Sequence, residues 1–154
     1  MRRRIRLLGL FLLPVAYLVA ATRWSDGLAG QPGLVLARTP EEFARQLRLA
    51  GGAESVREGI WLDMVFVGAV ATVAWVVLRR RPRHLAVALA AVSLDTAENA
   101  LAYVMAGREV GLGLTRTLAV LAALKFAAYI ALLVVVVLVV RRPPRDELDS
   151  DAPA

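Results

Sequence analysis

The sequence predicts an all-α integral membrane bundle of four antiparallel transmembrane helices, with a short amphipathic helix in the first outer loop. Three observations carry that expectation. Hydrophobic residues make up 58% of the 154 positions, and mean hydropathy is +0.60. A soluble domain of this size cannot bury that much apolar surface, whereas a bilayer solvates it. The apolar residues gather in four stretches, and the arginines gather in the alternate segments between them. The length fits a single domain.

In chain order, residues 1–4 are a basic N-terminus and 5–22 the first span. That span has a second reading. MRRRIR matches the basic region of a secretion signal, LLGLFLLPVAYLVA its apolar region, and Val19-Ala20-Ala21 a cleavage site. The retained helix is preferred, because the following segment lacks cysteines and hugs the membrane rather than resembling a secreted domain.

Residues 23–59 form an outer loop with five arginines and five acids. Within it Thr39-Pro40-Glu41-Glu42 reads as a capping box with proline at the first helical position, predicting a short helix over 40–50. Phe43, Leu47 and Ala50 share one face, and Gly51-Gly52 ends the helix. It reads as a surface helix in preference to a lid, since so short a helix needs packing to persist.

The second span covers 60–78, a basic cytoplasmic loop 79–84, the third span 85–106, an outer loop 107–116 and the fourth span 117–140. All three spans meet the roughly 20 residues a crossing needs. In lipid even the valine-rich run at 132–140 must be helical, because an open strand would leave its polar groups unpaired. The proline-containing polar tail, 141–154, reads as disordered.

Arg2, Arg3, Arg4 and Arg6, then Arg79, Arg80, Arg81 and Arg83, then Arg141, Arg142 and Arg145 mark one side of the bundle. That side faces the cytoplasm, so both termini are inside a cytoplasmic membrane. Trp24, Trp61 and Trp75 read as interfacial anchors, and His84 as an interfacial residue. The net charge of +6 therefore reports topology and contact with anionic lipid headgroups. Nucleic acid is not an expected partner, because the basic residues do not share one soluble face. Eighteen of the 19 basic residues are arginine, which with the abundant alanine and valine fits a GC-rich bacterial genome.

The chain has no cysteine and one histidine. Thiolate chemistry and multi-histidine metal sites are excluded. Phosphate-cradling, dinucleotide and H-E-x-x-H motifs are absent, so no cofactor or metal is expected.

The informative residues are the polar ones within the spans. Asp95, Glu98 and Asn99 stand at i, i+3 and i+4 on one face of the third span, with Ala88, Ala91 and Ala102 on or beside that face. Each intramembrane charge costs about 2.5–3.5 kcal/mol on insertion, so a partner is required. Counted from the outer ends of the spans at 1.5 Å per residue, Glu98 and Lys125 both lie about 12 Å deep and Asp95 about 16 Å deep. Lys125, the only lysine, should therefore pair with Glu98, with Asp95 and Asn99 in reach. Tyr129 falls near the level of Asp95. Asp63 and Tyr103 lie about 4.5 Å deep, so Asp63 reads as an interfacial carboxylate in contact with water. Three carboxylates face one ammonium, so at least one of Asp95 and Glu98 should carry a proton or hold a cation.

Trp61-Leu62-Asp63-Met64-Val65-Phe66 and Asp95-Thr96-Ala97-Glu98-Asn99 resemble the motifs of a family of small bacterial four-span membrane proteins with a polar first loop. The resemblance runs from the first loop to the end of the third span. It implies the topology and a candidate site, and no reaction.

Three functions compete. The favoured one is a structural or small-molecule- or lipid-binding membrane component whose Asp95–Glu98–Asn99–Lys125 cluster clasps the helices. The second is proton- or cation-coupled transport by a homo-oligomer, with Asp95 and Glu98 as relay. An intramembrane acid–base enzyme using Glu98 ranks last, because no nucleophile, metal set or cofactor motif accompanies it.

Overall fold

Long runs of alanine, leucine and valine sustain helix, and among the described residues every regular element is an α-helix. The computed structural model describes the backbone of residues 2–23 and 25–141. Trp24, the tail from 142 onward and the side chains of 1–8, 11, 26–29 and 140 lie outside the described residues. The expectations of a disordered tail and of a Trp24 anchor fall there. The elements are α1 (Arg2–Ala21), α2 (Asp26–Val35), α3 (Pro40–Leu49), α4 (Gly52–Leu78), α5 (Pro82–Met105) and α6 (Leu112–Arg141). Three of them, α4, α5 and α6, are long and apolar enough to cross a membrane. In α1 the apolar part among the described side chains is Leu12–Ala21.

The segment 23–59 is more ordered than a loop. It contains α2 and α3, and α4 starts at Gly52 rather than at residue 60. Hydropathy marks where a helix is apolar, not where it begins. Val56 and Ile60 are buried one turn apart, so tertiary packing holds the polar first turns of α4. The reversal between α3 and α4 uses Gly51 and Gly52 at φ 85° and 91°, a region that favours glycine.

α3 carries the expected cap. The Thr39 hydroxyl accepts from the Glu42 amide at 3.2 Å, and the Glu42 carboxylate accepts from the Arg38 amide at 2.8 Å. Phe43 is buried while Glu41, Arg45 and Arg48 are exposed. Backbone amide donation, then the Thr39 hydroxyl, holds Glu41 below the usual carboxylate range. A lowered folded-state value means that this contribution is complete at neutral pH and is lost as pH falls through that value. Amide protection over 40–49, measured relative to intrinsic exchange at each pH, should therefore fall in acid, in step with Glu41 protonation.

α2 contains Gly30, Pro32 and Gly33, which sequence propensity disfavours in a helix. Its formation rests on Leu34 and Val35, which are buried, and on close approach at Gly30, where an added Cβ would run into the Cβ of Ala50. Ala50 is the buried C-cap of α3 and cannot yield. Gly30→Ala should cost about 1–3 kcal/mol, as overpacking does. A fall in the thermal midpoint in detergent is the readout.

The core has two parts. One joins Leu34, Phe43, Val56 and Ile60 to Ala102, Met105, Leu118 and Ala122. The other joins Phe66, Val70, Ala74 and Leu78 to Ala88, Ala91, Leu132 and Val139. Large apolar side chains on the outside, such as Leu133 and Ile130 on α6 and Trp61 and Trp75 on α4, are exposed. α1 packs on α4, where the Tyr17 hydroxyl donates to the Leu62 carbonyl at 3.1 Å.

Candidate functional site

Between the two apolar clusters lies a polar layer. In α4 it falls between Ile60 and Phe66, in α5 between Ala91 and Ala102, and in α6 between Ala122 and Leu132. Its members are Asp63, Asp95, Glu98, Asn99, Lys125 and Tyr129.

α5 supplies the centre. Helical spacing aligns Asp95, Glu98 and Asn99, and each is about 2% exposed. Ala88, Ala91 and Ala102 are buried on the same side, which lets α4 and α6 come close enough for side chains to meet. α6 contributes Lys125 and Tyr129 one turn apart. Lys125 Nζ lies 2.8 Å from Glu98 Oε1 and 3.1 Å from Asp95 Oδ1. The Tyr129 hydroxyl donates to the other Asp95 oxygen, Oδ2, at 2.7 Å. Asp95 is thus held by an ammonium on one oxygen and a phenol on the other. The Tyr129 ring also packs at 6.1 Å on Phe66 of α4.

Asn99 does not join Lys125. Its amide donates to Asp63 Oδ2 at 2.7 Å, tying α5 to α4. This corrects the interfacial reading of Asp63, which is 6% exposed. The depth count began at residue 60, but α4 begins at Gly52, so Asp63 sits about three turns inside the helix. Tyr103 lies apart from the layer: it is exposed, and the Arg57 guanidinium stands 5.0 Å from its ring centre.

The layer holds three carboxylates and one ammonium. Among the described residues, Glu98 Oε2 is a buried atom with no hydrogen-bond partner. No group of three or more His, Cys, Asp or Glu among them could hold a metal ion.

One face of the layer adjoins a groove. It has a volume of ≈ 520 Å³ and is lined by Leu12, Pro14 and Val15 of α1, by Phe66 and Val70 of α4, and by one side of α6 from Tyr129 to Arg141. Comparison with known protein families, characterised proteins and solved structures finds no match for this chain.

Proposed function

We propose that the protein is a small multi-pass membrane component in which the polar layer clasps the helices in register. α1, α4, α5 and α6 form four antiparallel spans, with both termini on the arginine-rich cytoplasmic side of a cell membrane, and α2 and α3 cover the outer end. The motifs around Asp63 and Asp95 support placing it among the small bacterial four-span proteins it resembles. One observation carries the clasp: the Lys125 ammonium is held by two buried carboxylates of α5, while Asn99 of the same helix holds Asp63 of α4. A single polar layer thereby links all three long helices.

An acid–base enzyme is disfavoured because Glu98 is only 2% exposed. Transport remains the second reading, supported by the excess of carboxylates and the unpartnered Glu98 Oε2. Proteoliposomes under an imposed pH gradient separate the two. The clasp predicts proton flux equal to protein-free vesicles. Flux above that background, abolished in Asp95→Asn, would replace it with the relay.

A further inference from the structure

The groove on α1, α4 and α6 has a direction. Tyr129, Leu133, Val137 and Arg141 follow one another at four-residue intervals along α6 and share its wall. The wall is apolar from Tyr129 to Val137 and ends in a guanidinium. From Tyr129 to Arg141 the helix rises about 18 Å, close to the depth of one leaflet, about half of a ≈ 30 Å hydrocarbon core.

The charged end is not isolated. Ile60 of α4 and Leu118 of α6 share one buried cluster, and Leu78 and Val139 share the other, so α4 and α6 run in the same direction and finish at the same end of the bundle. Arg79, Arg80, Arg81 and Arg83 follow directly from α4 and flank the start of α5. Arg141 thus stands at the arginine-rich end of the bundle.

We infer that this groove binds one phospholipid of the cytoplasmic leaflet, its acyl chain along Leu133 and Val137 and its anionic headgroup at Arg141. Length selects a single chain of that leaflet. The guanidinium selects an anionic over a zwitterionic phosphate ester, as basic groups near a membrane surface do. The inner end of the chain meets the ring of Tyr129, whose hydroxyl holds Asp95. The bound lipid therefore packs behind one ligand of the polar layer. This inference goes beyond the clasp and rests on the proposed membrane-spanning topology and its orientation.

The test uses the full chain, purified in detergent, stripped of lipid and mixed with equal amounts of dioleoyl phosphatidylglycerol and dioleoyl phosphatidylcholine. Native mass spectrometry should find one retained lipid per chain, with phosphatidylglycerol favoured about fivefold, the size expected of one arginine at an anionic surface. Val137→Trp fills the groove from an exposed position and should reduce retention several-fold, with helicity by circular dichroism unchanged. Arg141→Gln should keep a lipid but bring the preference toward parity. Equal retention by the wild type and Val137→Trp would overturn the inference. So would equal retention of the two lipids by the wild type, or a dimer that Val137→Trp disrupts, which would give the groove to a second copy. Each of these outcomes leaves the Lys125 contacts untouched, so they do not bear on the clasp.

Discussion

Lys125→Met should be among the most destabilising single substitutions in this chain, lowering stability by about 3–5 kcal/mol. Methionine matches the lysine stem in bulk, so packing is nearly conserved and the loss is electrostatic. Asp95 and Glu98, each about 2% exposed, would be left together without their cation. Removing one partner of a buried pair costs far more than the net contribution of the pair, because the survivor stays desolvated and uncompensated. The counterpart of this expectation is rescue. Adding Asp95→Asn and Glu98→Gln to Lys125→Met removes both stranded charges and should recover most of the loss. Denaturant unfolding in detergent measures both variants against the wild type. If the triple variant is no more stable than Lys125→Met, the two carboxylates are not the source of the cost. Tyr129→Phe deletes one hydrogen bond to Asp95 and leaves the ammonium in place. It should cost only about 0.6 kcal/mol, the average for such bonds in a membrane protein.

Asn99→Leu should cost about 3 kcal/mol, the upper part of the range for a buried acceptor that loses its donor. Asn99 Nδ2 is the side-chain donor to Asp63 Oδ2. The leucine fills similar space but offers Asp63 nothing, and Asp63 lies buried three turns inside α4. Asn99→Asp tests the same contact from the other side. It replaces the donor with a second carboxylate and should be at least as damaging. Asp63→Asn with Asn99→Asp exchanges the two groups and should restore much of the stability. Thermal unfolding of the single and exchanged variants measures the coupling. A full loss in the exchanged pair would mean that the contact is not what holds α4 to α5.

Much of the site could be found in the sequence because depth along a helix is simple arithmetic once the end of the span is right. For α5 the apolar stretch ends within a residue of the helix; α6 starts five residues before its stretch, at Leu112, yet depth counted from the apolar ends still places Lys125 level with Glu98 and Tyr129 level with Asp95. The structure has those groups within 3.1 Å of α5 carboxylates. For α4 the stretch and the helix diverge. Its first turns, with Glu54, Arg57 and Glu58, are polar, so hydropathy misses them and Asp63 is assigned to the surface. α2 was illegible for a different reason. Gly30, Pro32 and Gly33 argue against a helix locally, and only contacts distant in sequence, such as Gly30 against Ala50, overcome that preference. The groove could not be read from periodicity either, because it exists only where α1 leans on two other helices. α3 was readable because its cap is local: Thr39 and Glu42 lie three residues apart.

The order of the groups along the chain has a consequence for biosynthesis. Asp63, Asp95 and Glu98 leave the ribosome before Lys125, so the nascent protein brings three acids to the insertion machinery ahead of their only ammonium. At about 2.5–3.5 kcal/mol per charge, the α4–α5 hairpin is an unfavourable guest in hydrocarbon by itself. It must wait protonated, or be sheltered, until α6 arrives. On the membrane-spanning reading, α6 is therefore the helix that makes the α4–α5 pair acceptable to the bilayer, because it carries the ammonium that their acids lack.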